Sequence, residues 1–131
     1  MNIGLIAQTP KRILLENFCI AYKGILKKHT IYATELTALR VEAVTALPVV
    51  KLLPEDMGGC KQVESLIARE DLDMVIYFHT GEELEETYED HKWFSEITRL
   101  CDFYSIPLAT NIGTAESLIL CLEHGDLEWR A

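Results

Sequence analysis

The decapeptide LPEDMGGCKQ, residues 53–62, joins an apolar run to an amphipathic one. The apolar run, residues 49–53, predicts a buried strand, and residues 63–68 predict the first turns of a helix. A glycine pair between a strand and a helix start lets backbone N–H groups approach an anion at the positive end of the helix. A plain tight turn at Gly58 and Gly59 is the alternative, and neighbouring segments have to decide between the two.

The rest of the chain alternates short apolar runs with segments whose apolar residues recur at helical spacing. Strands are predicted at residues 2–7, 29–33, 49–53, 73–78 and 106–109, with a last short strand at 127–129. Helices are predicted at residues 11–28, 39–46, 63–69, 91–104 and 115–122. This alternation indicates βαβ units. We therefore predict an α/β fold, a doubly wound, mainly parallel five-stranded sheet of the Rossmann or flavodoxin type with helices on both faces, forming one domain over residues 1–131.

In such sheets, ligands bind outside the carboxyl ends of the strands. This rule brings five turns to one rim: residues 8–9, 34–37, 54–60, 79–81 and 110–113. The glycine pair thereby becomes a neighbour of Thr34 and Thr37, which favours a phosphate site over a plain turn. Alternatives remain for single residues: Thr34 as a helix N-cap, His79 as a hydrogen-bonded structural residue, and the acidic residues 82–90 as a solvated loop or helix start.

Composition narrows the classes of function. A formal net charge of −9 excludes a nucleic-acid backbone or an anionic membrane as partner, whereas a small anion can still bind locally. No apolar run approaches the ~20 residues of a membrane span, and the N-terminus does not resemble a signal peptide, so we expect a cytoplasmic protein. The 4 cysteines form no C-x-x-C pair, which argues against a zinc site and for reduced thiols. No cofactor is expected.

Several motifs resemble methylglyoxal synthase in order and spacing. They are IGLIA at residues 3–7, Tyr32-Ala33-Thr34 with Thr37, Met57-Gly58-Gly59 with Gln62, Asp73 before an apolar strand, and IPLATN at residues 106–111. The resemblance runs from about residue 2 to residue 122. It implies a homohexamer that binds dihydroxyacetone phosphate at the rim. The same fold serves as the allosteric domain of carbamoyl-phosphate synthetase, so it hosts both catalysis and ligand sensing.

The resemblance also implies which residues hold the phosphate. Arg12 takes the place of a phosphate-binding lysine, and Thr34 and Thr37 match two of the family's threonines. The other rim candidates for binding the ligand are Gln8, Thr9, Met57, Gly58, Gly59, Cys60, His79 and Asn111. Glu35 and Glu55 stand where the family has glycines and are expected to face the phosphate with negative charge. A weaker anion site follows, and a larger or differently oriented ligand is compatible with it.

The family's reaction needs a carboxylate that takes a proton beside the substrate carbonyl and an imidazole that polarises this carbonyl. Here the resemblance places Cys60 at the aspartate after the glycine pair, and Gln8 and Thr9 at a histidine and an aspartate after the first strand. A second histidine falls near Asp90 or His91, where extra residues shift the register. At a helix N-terminus, Cys60 is expected to have a thiol pKa lowered from ~8.5 toward neutrality.

Three hypotheses follow. The main one is a catalytically silent member of the fold that binds a phosphorylated metabolite or a nucleotide as a sensor, regulator or sequestering protein. The alternative is a methylglyoxal synthase, which converts dihydroxyacetone phosphate to methylglyoxal and phosphate, with Asp56, Asp90 or His91 as rearranged catalytic groups. The third is a different enzyme in which Cys60 is the nucleophile and His79 the base. Arg130 is a candidate to reach the phosphate site of a neighbouring subunit.

Overall fold

One parallel sheet of five strands forms the centre of the protein. In the computed structural model, which describes residues 1–80 and 87–130, the strand order is β3-β2-β1-β4-β5. The strands are β1 (Asn2–Ala7), β2 (Thr30–Thr34), β3 (Val50–Leu52), β4 (Met74–Phe78) and β5 (Leu108–Ala109). The helices are α1 (Arg12–Ala21), α2 (Lys23–Leu26), α3 (Glu35–Thr45), α4 (Gly59–Ala68), α5 (Tyr88–Tyr104) and α6 (Ile112–Glu123). Short 3₁₀ turns occupy Thr9–Lys11, Glu55–Met57 and Glu128–Arg130.

Each face of the sheet carries its own hydrophobic core. Because successive side chains of a strand point to opposite faces, Met74, Ile76 and Phe78 pack on one side, with α1, α3 and α6. Val75 and Tyr77 pack on the other side, with α4 and α5. All five residues of β4 are buried, as expected for an interior strand covered on both faces. The α/β prediction, a parallel five-stranded sheet with helices on both faces, is confirmed.

The strand order reverses between β1 and β4. From β1 the chain builds outward to β2 and β3, and it then crosses over to place β4 and β5 on the other side of β1. Gln8 bridges this switch point: its backbone N–H donates to the Phe78 carbonyl at 3.0 Å, and its side-chain Oε1 accepts from the Thr80 N–H at 2.7 Å. The rim beside this point is where open α/β sheets bind their ligands.

Some predicted elements differ from the observed ones. The helix predicted over residues 11–28 is interrupted at Tyr22, whose φ of −108° and ψ of 21° leave the helical region. The strand predicted at residues 49–53 is an edge strand rather than a buried one, because β3 pairs only with β2 among the described strands and Val50 is 43% exposed. The last predicted strand, residues 127–129, is wrong. After the turn at Gly125 only Leu127 anchors in the core, and the chain continues as a 3₁₀ turn.

The acidic segment of residues 82–90 is partly a helix start. Residues 81–86 lie outside the described residues. Thr87 and Asp90 form a capping box in which the Thr87 hydroxyl accepts from the Asp90 N–H at 3.0 Å, so α5 begins at Tyr88, earlier than predicted. No helix in the described parts of the chain is long and apolar enough to cross a membrane.

Candidate functional site

Three polar side chains from consecutive β-α units meet at the rim. Arg12 opens α1, Thr34 ends β2, and Glu55 opens the 3₁₀ turn after β3. The Thr34 hydroxyl donates to Glu55 Oε1 at 3.4 Å, and the Arg12 guanidinium is close enough to act electrostatically on the Glu55 carboxyl. Thr34 stands at the N-cap position of α3, but its side chain makes no capping hydrogen bond. Its hydroxyl therefore serves the rim rather than the helix end.

Arg12 Nε and Thr37 Oγ1 are buried donors at this rim that have no hydrogen-bond partner among the described residues, and Thr80 Oγ1 is another. Thr37 is only 3% exposed, so bulk water does not substitute for a partner. Buried polar atoms are nearly always paired in native proteins, and unpaired ones mark a place for a ligand or an ordered water. A guanidinium nitrogen and a hydroxyl are both donors, so this pair suits an anion.

Burial raises the pKa of the Glu55 carboxyl above that of an ordinary glutamate. The Arg12 charge and the hydrogen bond from Thr34 act against this shift, while Asp90 and Asp56 add to it. A half-buried carboxyl with a raised pKa holds its proton closer to neutral pH, which is the property of a group that accepts and returns a proton in catalysis. By contrast, Glu35, which was also expected to face the anion, is exposed.

The glycine pair is required by the turn itself. Gly58 has a φ of 107°, in the left-handed region that favours glycine. A Cβ on Gly59 would lie 2.1 Å from the Leu53 carbonyl oxygen, and the Gly59 N–H already donates to the Pro54 carbonyl at 2.9 Å. This amide is therefore engaged within the turn and is not offered to an anion. Glu55 and Cys60 lie on either side of this glycine pair.

The expectation of an acidic Cys60 thiol is wrong. Burial, together with the nearby carboxylates of Glu55 and Glu64, raises the pKa of the Cys60 thiol to about 12. These effects outweigh the helix N-terminus, so the thiol stays protonated and the nucleophile of the third hypothesis is lost. His79 stacks on the Phe94 ring at a centroid distance of 4.0 Å and an interplanar angle of 26°, and its interpretation as a hydrogen-bonded structural residue stays a prediction.

The remaining candidates are scattered or committed elsewhere. Gln8 is 7% exposed and holds the Thr80 amide, and Arg130 donates to the Ser105 carbonyl of its own chain. Four others have exposed side chains: Thr9, Asp56, Met57 and His91. The structure thus groups Arg12, Thr34 and Glu55, with Cys60 and Asp90 close enough to act electrostatically on Glu55, and Thr37 lies in the first turn of α3, directly after Thr34. Sequence reasoning treated Glu55 only as a source of repulsion. Its position between the third strand and the glycine pair was the one signal of a functional carboxyl.

Asn111 is a helix cap on the far side of the sheet, after β5. Its Oδ1 accepts from the Thr114 N–H at 2.9 Å. We expect Asn111→Ala to lower the free energy of unfolding by about 1 kcal/mol in urea denaturation, because an orphan amide of α6 loses its acceptor. Asn111→Asp keeps the acceptor, so its free energy of unfolding should be close to that of the unsubstituted chain. Unchanged stability of Asn111→Ala combined with weaker ligand binding would instead show a ligand contact.

A cavity of about 940 Å³ adjoins the Glu55 cluster and lies between α4 and α5. The wall from α4 consists of Cys60, Lys61 and Glu64. The wall from α5 consists of Glu89, Asp90, Lys92, Trp93, Ser95, Glu96 and Arg99. Glu55 and Asp56 close its inner end. Glu55 therefore lies between the hydrogen-bond donors that suit an anion and this cavity.

Comparisons with known proteins agree on one family. The chain is 47% identical over 130 residues to methylglyoxal synthase from Caldicellulosiruptor saccharolyticus, a match that spans 99% of this chain and 90% of the relative. It is 42% identical to methylglyoxal synthase from Geobacillus thermodenitrificans, over 99% of this chain and 88% of that protein. The crystal structure of methylglyoxal synthase from Elizabethkingia anophelis matches with a TM-score of 0.78 at 27% identity, covering 90% of this chain and 76% of that one. No family model matches the sequence.

These relatives contradict the main hypothesis of a catalytically silent binding protein. They carry the name of an enzyme at 42% and 47% identity across nearly the whole chain. The alternative, methylglyoxal synthase, is the better supported of the hypotheses. Under this hypothesis, the residues that the resemblance aligns with catalytic positions, Gln8, Thr9 and Cys60, call for a different arrangement of catalytic groups.

Proposed function

We propose, since this chain belongs to the methylglyoxal synthase family, that it converts dihydroxyacetone phosphate to methylglyoxal and inorganic phosphate at the rim formed by Arg12, Thr34, Thr37 and Glu55. The observation that carries the proposal is the half-buried Glu55 carboxyl, with its raised pKa, beside donors that lack partners. A carboxyl suited to acid–base catalysis and donors suited to anion binding thus lie at the same rim.

The reaction needs one base and one anion site. A base removes a proton from the hydroxymethyl carbon of the substrate, and the electrons of the C–H bond form an enediolate with the neighbouring carbonyl. The enediolate expels phosphate from the other carbon as the C–O bond breaks, and the resulting enol takes up a proton to become methylglyoxal. No water or redox partner is consumed. Catalysis then depends on holding the phosphate and on placing a base beside the carbon acid.

Glu55 is the proposed base. The resemblance places the family's aspartate at Cys60, and both Glu55 and Cys60 line the same cavity on either side of the glycine pair. A carboxyl offered from Glu55 can reach the substrate position that a carboxyl at residue 60 would serve. The neutral Cys60 thiol can donate a weak hydrogen bond to the developing enediolate oxygen. Of the earlier candidates, Asp56 and His91 are exposed, and the Asp90 carboxylate accepts from the Thr87 N–H in the capping box of α5, so all three are less suited to the role.

Arg12 and Thr37 are the proposed phosphate ligands, with Thr34 beside them. Their unpartnered donors face an anion in a site that is partly shielded from water. In the absence of substrate, the Arg12 charge is balanced in part by Glu55, which prevents an isolated buried cation. Phosphate binding would shift this balance and leave Glu55 free to act as the base.

We expect Arg12→Ala to weaken binding more than chemistry. A hydrogen bond to a charged group contributes about 1.5–3 kcal/mol, which corresponds to a rise in KM for dihydroxyacetone phosphate of roughly 10- to 100-fold. Steady-state kinetics measure this KM. Arg40→Ala on the neighbouring helix is the matched control, because Arg40 pairs with Glu16 away from the rim. A KM that does not change in Arg12→Ala would remove Arg12 from the phosphate site.

The proposal as a whole is tested by incubating the purified chain with dihydroxyacetone phosphate. Methylglyoxal and inorganic phosphate should appear in equal amounts, at a rate well above spontaneous elimination. Absence of both products at high protein concentration would refute it. Assembly into a homo-oligomer, implied by the resemblance, stays a prediction. Ile13, Leu36 and Met57 are exposed apolar side chains in the segments that follow β1, β2 and β3, and such an interface would cover them.

A further inference from the structure

The cavity between α4 and α5 is larger than a three-carbon phosphate requires. Pockets of about 300–1,000 Å³ accommodate ligands of drug size, and this one measures about 940 Å³. Its inner end is the proposed base, Glu55, with Cys60 beside it. The space therefore adjoins the carbon from which the proton would be removed. Any substituent on that carbon would extend between the two helices.

The charges in the cavity favour a neutral extension. Carboxylates predominate in its walls, and two of its cations are paired within their own walls: Lys61 with Glu64 at 3.5 Å, and Arg99 with Glu96 at 2.6 Å. A second phosphate would meet net negative charge there. Hydroxyl groups would instead find many acceptors, because an ionised carboxylate accepts hydrogen bonds and donates none.

Trp93 supplies a platform for such an extension. Its indole ring lies in the α5 wall and packs on Tyr77 at a centroid distance of 5.5 Å. Its Nε1 is buried and has no hydrogen-bond partner among the described residues. An indole offers an apolar face to C–H groups and an N–H donor to an oxygen. A polyhydroxylated carbon chain has both C–H groups for the ring face and hydroxyl oxygens for the N–H.

Resting on the proposed function, we infer that the enzyme also accepts longer ketose 1-phosphates, whose polyol chain lies in the cavity between α4 and α5 over Trp93. Their first three carbons repeat the substrate, with a chain R in place of one hydrogen on the carbon that loses its proton. Glu55 takes this proton, an enediolate forms, the C1–O bond breaks, and phosphate leaves with the electron pair. Protonation at C1 gives the 1-deoxy-2,3-diketone CH₃–CO–CO–R, so atoms and electrons balance without a further reactant.

Erythrulose 1-phosphate is the probe, because its four carbons cannot close a furanose ring and its ketone stays accessible. We expect the unsubstituted chain to release phosphate from it with a kcat/KM within about tenfold of that for dihydroxyacetone phosphate, because one added group in a pocket changes kcat/KM by roughly 10- to 200-fold and the open cavity places this substrate at the lower end of that range. Trapping the product with an aromatic diamine identifies the diketone. Turnover of dihydroxyacetone phosphate without turnover of this probe would overturn the extension alone. Absence of turnover of both substrates would overturn the proposed function as well as the extension.

Ser95→Trp tests whether the cavity holds the chain. Ser95 is exposed on the α5 wall, and a large ring there should lower kcat/KM for erythrulose 1-phosphate at least tenfold while the three-carbon substrate is unaffected. Ser65→Trp is the matched control, because Ser65 is exposed on α4 but does not line the cavity. Trp93→Phe, which keeps a ring and removes the N–H, should raise KM for the longer substrate several-fold. An equal loss for both substrates in Ser95→Trp would contradict the assignment.

Discussion

Glu55→Gln is expected to lower kcat for dihydroxyacetone phosphate by about 10²- to 10⁴-fold, the usual contribution of a general base. The amide keeps the shape and hydrogen-bonding capacity of the carboxyl but cannot accept the proton. Asp56→Asn is the matched control. It removes a carboxylate from the adjacent, exposed position and should change kcat little. Equal losses in the two variants would show a general electrostatic effect rather than a base at Glu55.

The pH dependence of the same variant separates catalysis from folding. Burial raises the pKa of Glu55 in the folded chain above its value in the unfolded chain. Its contribution to stability is therefore complete below the unfolded pKa and is lost as pH rises through the folded pKa. Glu55→Gln avoids this loss, so it should unfold at a higher urea concentration than the unsubstituted chain at neutral pH while being far less active. The unsubstituted enzyme should gain activity with pH as Glu55 ionises.

Gly59→Ala is expected to destabilise the fold by about 3 kcal/mol or more, at the upper end of the cost of forcing extra atoms into a packed site. The added Cβ would lie 2.1 Å from the Leu53 carbonyl oxygen and 2.8 Å from that of Pro54, and backbone atoms cannot rotate away as a flexible side chain can. Opening the turn would also break the bond from the Gly59 N–H to Pro54. Urea denaturation measures the change.

Gly24→Ala is the matched control for this prediction. Gly24 lies in α2, where no atom is within 4 Å of an added Cβ, so alanine should be neutral or stabilising by up to about 1 kcal/mol. Similar stability of Gly59→Ala and Gly24→Ala would mean that the turn before α4 relaxes easily. The positions of Glu55 and Cys60 would then not depend on the glycine.

The fold was predictable because its signals are local. Apolar runs such as residues 73–78 and the helical spacing between them fix strand and helix order, and parallel βαβ chirality leaves few topologies. The errors fell where a local pattern has two outcomes. The helix predicted from residue 91 begins at Tyr88, because Thr87 and Asp90 form a capping box, and residues 127–129 resemble a strand although only Leu127 of them packs in the core.

The site was less predictable because burial decides its chemistry. From sequence, Cys60 at a helix start suggests an acidic thiol and Glu55 suggests simple repulsion of an anion. Both inferences ignore desolvation, which raises the pKa of the thiol to about 12 and of the carboxyl above its ordinary range. The rim position of Thr34 and Thr37, by contrast, follows from the strand order, whereas that of Arg12 was expected from the resemblance.

The bridge that Gln8 forms between β1 and β4 has a consequence for the order in which the chain assembles. Arg12, Thr34, Thr37 and Glu55 all belong to the first 60 residues, and they can come together through the short-range β1–β2 and β2–β3 pairings. The pairing of Ile3 with Met74, closed at its end by the hydrogen bond from the Thr80 N–H to the Gln8 side chain, spans a much longer loop. Because long loops close late, we expect the anion-binding half to gain structure early in synthesis and the α4–α5 half to complete it in the last folding step.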